Sequence, residues 1–449
     1  MSDSSFPADF LWGAATSAYQ IEGSPLADGA GASIWHRFAH TPGNIFADQN
    51  GDLACDHYRR FVDDVRLMRE LAIRAYRFSI SWSRLFPNGT GNINRAGLDF
   101  YSRLVDTLLE HHIQPMATLY HWDLPQALED RGGWAHANSA DWFAEYAALA
   151  FRSLDDRVKL WATLNEPWVV VDHGYIEGRH APGRSDWAEA ALVSKNLLRA
   201  HAAAVRTYRN IGKHSIGLVV NLIPVHPATE SLADRQAANR VDAYVNRQFL
   251  DPVLQGVVPS ELAEIFGAAW PAWTSDELRA VAEPIDFVGV NYYLRWVVCD
   301  DPPTGPARAR LVVEPNAPQT ATGWEIYPHG LLEILQWLNN RYGSLPLYIT
   351  ENGAAFDDVL LPNGRVDDFA RVKYLNQHLE VAKRAIDAGV DLRGYFLWSL
   401  LDNFEWQSGY SKRFGIVYVD FKTQQRFPKA SARFYSNVIR TNGAALKVE

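Results

Sequence analysis

Leu347-Tyr-Ile-Thr-Glu-Asn352 is a short, mostly apolar run set between two stretches of helical period. Before it, Leu331, Leu332, Leu335 and Leu338 recur on one helical face; after it, Phe369, Val372, Leu375 and Leu379 do the same. A second apolar run, Leu392–Leu400, follows at once. Helix, strand, helix, strand in close succession implies parallel strands joined by crossover helices, and the apolar character of both runs implies burial on both faces.

The same unit repeats towards the N-terminus. Further strands are predicted at Phe10–Thr16, Arg74–Ile80, Pro115–His121, Lys159–Asn165, Ser215–Leu222 and Ile285–Asn291. Between them run amphipathic segments, among them Tyr58, Phe61, Val62, Val65 and Met68, and Leu98, Tyr101, Leu104, Val105 and Leu108. Eight strands alternating with helices predict an α/β fold, a (β/α)₈ TIM barrel with long βα-loop insertions, and one catalytic domain over residues 1–449. A doubly wound sheet is the alternative; the even spacing of eight units and the lack of a glycine-rich phosphate loop disfavour it. Gly89-Thr-Gly91 lacks the third glycine of such a loop and reads as a turn.

Composition narrows the partners. The chain has 449 residues, 47% apolar and 21% charged, which suits a large packed core rather than disorder. A net charge of −9 without a Lys/Arg block argues against nucleic acid or an anionic membrane surface. No apolar run reaches the roughly 18 residues of a membrane span, and the first residues carry neither a basic nor an apolar signal region, so a cytoplasmic protein is expected. Cys55 and Cys299 are too few for a disulfide framework; two reduced thiols are the simpler reading, with a single bridge left open. The 16 Trp, 19 Tyr and 21 Phe must mostly be core, although an indole face with its polar edge also suits a sugar ring.

Polar residues sit where this fold does its chemistry. Arg77, His121, Asn165-Glu166, Asn291, Glu351-Asn352 and Trp398 fall late in, or at the C-terminal end of, predicted strands, where the βα loops of a barrel converge. One such residue could cap the barrel; so many together point to a site. Glu166 and Glu351 form a matched pair, each beside an Asn at the end of a buried strand. Two carboxyl groups across a sugar-sized pocket are what glycoside hydrolysis needs, one protonated to help the leaving oxygen depart and one ionised to meet the anomeric carbon. A metal-dependent hydrolase would want a His-x-His set at a strand end, which is absent, since His111-His112 lies at a helix end; a sugar-binding protein without activity would have lost one Glu. No metal and no cofactor are expected.

These segments carry a resemblance that runs end to end. Phe10-Leu-Trp-Gly-Ala-Ala-Thr-Ser-Ala-Tyr-Gln20-Ile-Glu-Gly23, Arg77-Phe-Ser-Ile-Ser-Trp82, His121-Trp-Asp-Leu-Pro125, Thr163-Leu-Asn-Glu-Pro167, Asn291-Tyr-Tyr293, Ile349-Thr-Glu-Asn-Gly353 and Trp398-Ser-Leu-Leu-Asp-Asn-Phe-Glu405-Trp406 occur in order. In this the chain resembles glycoside hydrolase family 1, the β-glucosidase family. The resemblance implies a retaining β-glycosidase acting on a small-molecule β-glycoside, with Glu166 as acid/base and Glu351 as nucleophile. It also implies Arg77 and Tyr293 as hydrogen-bond donors that hold Glu351 ionised with a low pKa, and Asn165 on the sugar 2-hydroxyl. Gln20, His121, Glu405 and Trp406 match the hydroxyl-recognising set, Trp398 the stacking floor, and Trp168, His173, His180, Asn221 and Trp324 the outer, aglycone side. Glu405 stands where the 6-phosphosugar branch has a small or apolar residue, which implies an unphosphorylated sugar. Ser411-Lys412-Arg413 is then an ordinary surface loop rather than a phosphate clamp. Glu166 stands where the plant thioglucosidases have Gln. Glucose against galactose or fucose, aglycone preference and oligomeric state stay open.

Overall fold

The computed structural model describes residues 5–305 and 307–446. Eight parallel strands close a barrel: β1 (Leu11–Ala15), β2 (Ala75–Ser79), β3 (Gln114–Tyr120), β4 (Leu160–Asn165), β5 (Ser215–Asn221), β6 (Phe287–Asn291), β7 (Leu347–Asn352) and β8 (Leu392–Trp398). Each strand pairs with the next in sequence, and β1 pairs with β8 to close the ring. All eight predicted strands are present, with ends shifted by a residue or two; His121 lies just past β3.

Two apolar layers hold the barrel. Inside the ring, Ala75, Met116, Leu160, Ala162, Val219, Phe287, Tyr348 and Phe396 pack on one another. The space is tight enough that a Cβ on Gly13 would lie 2.4 Å from the Phe396 ring. Outside, helices such as Arg95–Glu110 bury Leu98, Tyr101, Leu104, Val105 and Leu108, the face their spacing predicts. The helix Phe369–Asp387 is turned relative to its predicted face. Leu375 and Leu379 of that face are buried, but Phe369, at the first position, is 64% exposed and Val372 only partly covered, and Arg371, Tyr374 and His378 turn inward beside them. The inward position goes to Arg371 because buried acids await it.

Those acids belong to an ion cluster of side chains that are almost all buried. Arg371 pairs with Asp358 at 2.8 Å and with Asp368; Lys429 bridges Asp358 at 2.5 Å and Asp402 at 2.7 Å; Arg413 reaches Asp402 at 2.6 Å. Three cations thus meet three carboxylates and tie the loop after β7 to the loop after β8. Arg413 therefore departs from the surface-loop reading of 411–413. Lys412 does too: its Nζ donates to the Ala321 carbonyl at 2.6 Å and lines the central cavity. Both cysteines are free, Cys55 buried and Cys299 partly so. Among the described residues, no helix is long and apolar enough to cross a membrane.

Removing one partner of a buried ion cluster strands the others without solvent. Lys429→Met should therefore lower stability by about 3–5 kcal/mol, seen as a lower urea midpoint. An unchanged midpoint would mean that water compensates the freed Asp358 and Asp402.

Candidate active site

Strand register brings the polar residues to one level at the barrel mouth. Ala15 is level with both Arg77 and Trp398, and Asn291 with both Asn221 and Glu351. The two strands that carry the glutamates are irregular at their ends. The β4–β5 register slips between Ala162 and Asn165, and the register of β7 slips on both sides after Ile349. Such slips re-aim side chains that a regular pleat would send elsewhere.

At Glu166 the backbone also turns left-handed, with φ of 47°, before Pro167 opens the helix Pro167–Val171. That conformation costs a residue with a Cβ about 1–2 kcal/mol, and the packed strand end holds it. Gly353 answers a different need: a Cβ there would lie 1.6 Å from the Trp398 carbonyl oxygen, so only glycine lets β7 run on past β8.

One hydrogen-bonded chain links the two glutamates. Arg77, fully buried in β2, donates through Nη1 to Glu351 Oε1 at 2.6 Å and through Nη2 to Asn165 Oδ1 at 2.6 Å. Asn291 Nδ2 donates to Asn165 Oδ1 at 3.1 Å and to Glu166 Oε1 at 2.7 Å. Thr350 Oγ1 donates to Asn291 Oδ1 at 2.7 Å, which fixes the amide so that its nitrogen faces Glu166. On the far side of Glu351, the Tyr293 hydroxyl donates to Oε2 at 2.7 Å. Each oxygen of Glu351 therefore has a donor of its own, whereas Glu166 has Asn291.

The electrostatics follow from that asymmetry. Burial and then the Glu351 charge push the Glu166 carboxyl up to about 8. At Glu351 burial also pushes upward, while Arg77 and Tyr293 pull down. The low pKa expected for Glu351 is thus not reached, because desolvation outweighs its donors. The proton still belongs on Glu166: Glu351's partners favour its anion, and that anion in turn favours a neutral Glu166. Tyr293 is pushed well above its ordinary value by burial and by Glu351, so it stays a donor.

His121 can be assigned a tautomer. Asn165 Oδ1 is taken by two donors, so Asn165 Nδ2 is the donor to His121 Nε2 at 3.2 Å. Burial and the nearby Arg77 hold the imidazole neutral. Its proton is therefore on Nδ1, which has no partner among the described residues. The residue itself lines the cavity. Trp398 and Trp406 flank the ring, with centroids 5.7 and 6.0 Å away.

The cavity above these groups measures about 530 Å³, room for more than one sugar ring. Glu166, Glu351, His121, Tyr293, Trp398, Glu405 and Trp406 line it, and so do Trp168, His173, His180, Asn221 and Trp324. Gln20 sits behind the wall, fully buried. Its amide nitrogen is within reach of Asn403 Oδ1, the Phe404 carbonyl and Glu405 Oε2 at 3.0–3.3 Å, and its oxygen accepts from Ser17. It thereby positions Glu405. Burial and the Glu351 charge push Glu405 up to about 8, so it is less fully a carboxylate in the open pocket than its residue type implies.

Three contributors carried no role in the sequence. Asn291 and Trp122 stood inside quoted motifs without one; Trp122 donates to the Asn165 carbonyl at 3.0 Å and packs on Trp406. Phe414 packs near Tyr293 and Trp324, and nothing in its local sequence marks it.

A parallel barrel with a hydrogen-bonded pair of buried glutamates at strand ends, under a sugar-sized cavity, defines a glycoside hydrolase. The model of glycosyl hydrolase family 1 matches residues 2–444, and the chain belongs to that family. It is 52% identical over 440 residues to the 1,4-beta-D-glucan glucohydrolase of Thermotoga neapolitana, covering 98% of this chain and 99% of that protein. The solved family 1 β-glucosidase from Thermotoga maritima superimposes with a TM-score of 0.96 at 51% identity, over 98% of this chain and 99% of that one. The same Thermotoga maritima enzyme in complex with glucoimidazole matches with a TM-score of 0.95, at 51% identity over 98% and 100% of the chains.

Proposed function

We propose that this chain is a retaining β-glucosidase that removes terminal non-reducing β-D-glucosyl residues from cello-oligosaccharides and from aryl and alkyl β-glucosides. The observation that carries the reading is the unequal pair: Glu351 held by Arg77 and Tyr293, and Glu166 buried beside that charge. The relatives' names support glucose and β-1,4-glucan as substrates. Because the site draws on β1, β2, β3, β4, β6, β7 and β8, residues 1–449 act as one catalytic unit. The free thiols fit a reducing, cytoplasmic setting.

The reaction divides between the glutamates. A Glu351 carboxylate oxygen attacks the anomeric carbon as the glycosidic bond breaks, and Glu166 gives its proton to the departing oxygen. Positive charge develops at the anomeric carbon, and the remaining proton on Asn165 Nδ2 faces the 2-hydroxyl, a bond that strengthens as that charge grows. Once Glu351 is esterified its charge is gone, and the pKa of Glu166 falls. Now ionised, Glu166 takes a proton from water, whose oxygen attacks the same carbon and releases Glu351. Two inversions leave the β configuration. The His121 N–H, Glu405 and Trp406 hold the distal hydroxyls, and Trp398 lies under the ring. Gln20 donates to Glu405, and the cavity-lining Lys412 has its Nζ on the Ala321 carbonyl, so a 6-phosphate beside Glu405 would meet a carboxyl group rather than a free cation.

Since Glu166 must be protonated at the first step, kcat/KM should fall through one ionisation near the value of about 8 that burial and Glu351 impose. Asn291→Ala removes the bond that favours the ionised Glu166, so that limb should move to higher pH while kcat drops by about 10²-fold as the carboxyl loses its aim. A limb that stays in place would separate Asn291 from Glu166.

The glutamates should differ by substrate. Glu351→Ala should lose activity on every glycoside. Glu166→Ala should still react with a dinitrophenyl glucoside, whose phenolate leaves unaided, and show a burst as the glycosyl-enzyme accumulates; cellobiose should be nearly inert. Azide should restore turnover in both, giving the β-glycosyl azide with Glu166→Ala and the α-azide with Glu351→Ala. Azides of the reverse sense would swap the two roles.

A further inference from the structure

Away from the cavity, His36 and His40 lie one helical turn apart on Ile34–Ala39 and its C-terminal cap, with ring centroids 4.3 Å from each other. Asp52 approaches both from the following loop, with Oδ2 at 3.0 Å from His40 Nε2 and Oδ1 at 3.8 Å from His36 Nε2. One ligand atom from each residue falls within 4.8 Å of the other two. The hydrogen bonding at His40 makes this more than proximity. Its Nδ1 lies 2.7 Å from the His36 carbonyl, which can only accept, so Nδ1 carries the hydrogen. Neutral His40 then turns a lone pair at Nε2 onto an oxygen of Asp52. Two acceptors 3.0 Å apart need a cation between them, either a second proton on His40 or a metal ion.

We propose that His36, His40 and Asp52 form a binding site for a divalent transition cation of the Zn²⁺ type, separate from the glucosidase site. Two imidazoles and one carboxylate favour zinc-like ions over Mg²⁺ or Ca²⁺, and leave a fourth, tetrahedral position for water. The Nδ1–H of His40 donating to a backbone carbonyl is the outer bond that orients a ligating imidazole. The nearby cations are committed elsewhere, Arg37 to Asp130 and Arg59 to Asp56 and Ser24. A second trio, Asp172, His173 and Glu177, is the weaker candidate, because the Arg179 guanidinium already lies against the His173 ring.

The ion would join the helix Ile34–Ala39 to the loop at Asp52, and this segment backs the sugar-binding wall. Trp35 packs on Trp406 at 4.4 Å, and Gln49 Oε1 accepts from the Tyr410 N–H at 2.6 Å. Binding should therefore raise thermal stability without supplying a catalytic group.

The test uses tag-free, full-length protein stripped with chelator. Titration with ZnCl₂ by calorimetry should show one equivalent bound and a rise in Tm, with kcat on an aryl β-glucoside unchanged by chelator. His40→Ala and Asp52→Asn should each weaken binding by at least about tenfold, and His36→Ala/His40→Ala should abolish both binding and the Tm rise while keeping the metal-free Tm and activity. Absence of zinc binding to the intact protein would show that a protonated His40 alone bridges to Asp52, and overturn the proposal. So would binding that survives in the double variant and disappears with His173→Ala.

Discussion

The site depends on one buried guanidinium. Arg77 places a cation inside the barrel and spends its two terminal nitrogens on Glu351 and Asn165, both at 2.6 Å, with Nε turned to Thr118 at 3.2 Å. A buried cation is tolerable only when it is paired and fully hydrogen-bonded. Those pairings fix Glu351 on β7 and Asn165 on β4 relative to β2, strands brought together only by closure of the ring. Asn165 then holds His121 in one tautomer and shares its oxygen with Asn291, which reaches Glu166. Ground-state order at the reacting groups passes through this one side chain.

The chemical asymmetry has the same source. Two glutamates in a common desolvated pocket would, alone, resist ionisation alike. Arg77 and Tyr293 break the tie by hydrogen-bonding Glu351 and not Glu166, and the resulting negative charge keeps the proton on Glu166. In the proposed reaction, esterification of Glu351 would remove that charge, so one residue could be acid in the first step and base in the second without moving. The ion cluster of Arg371, Arg413 and Lys429 plays the supporting part further out, bracing the loop that carries Glu405 and Trp406 against the loop after β7.

Much of this was legible in the sequence because two signals are local. A strand buried on both faces must be a short apolar run, so all eight barrel strands could be read from residue type. A polar residue ending such a run has few reasons to be there, so Glu166, Glu351, His121 and Asn291 stood out. What stayed hidden depends on which side chains meet. The helix Phe369–Asp387 turns Arg371 inward because Asp358 and Asp368 lie there, contacts that the spacing of Phe369, Val372 and Leu375 cannot report. Asn291 was visible as a strand end, but its bond to Glu166 arises only once β4, β5 and β6 stand side by side. Gln20 was visible as a motif residue, but its reach to Asn403, the Phe404 carbonyl and Glu405 joins positions far apart in the chain that only the fold brings together. The balance at Glu351 also needs coordinates, because burial and Arg77 oppose each other there.

The central claim is that the glucosyl group is carried covalently by Glu351. A 2-deoxy-2-fluoro-β-glucoside with a dinitrophenolate leaving group tests it directly. The fluorine disfavours the positively charged transition states of both steps, and the good leaving group restores only the first, so the intermediate should persist. Mass spectrometry of the intact protein should show one fluoroglucosyl unit added, and fragmentation of the peptide spanning Ile349–Gly353 should place it on Glu351. Label on Glu166, or none despite release of dinitrophenolate, would contradict the account.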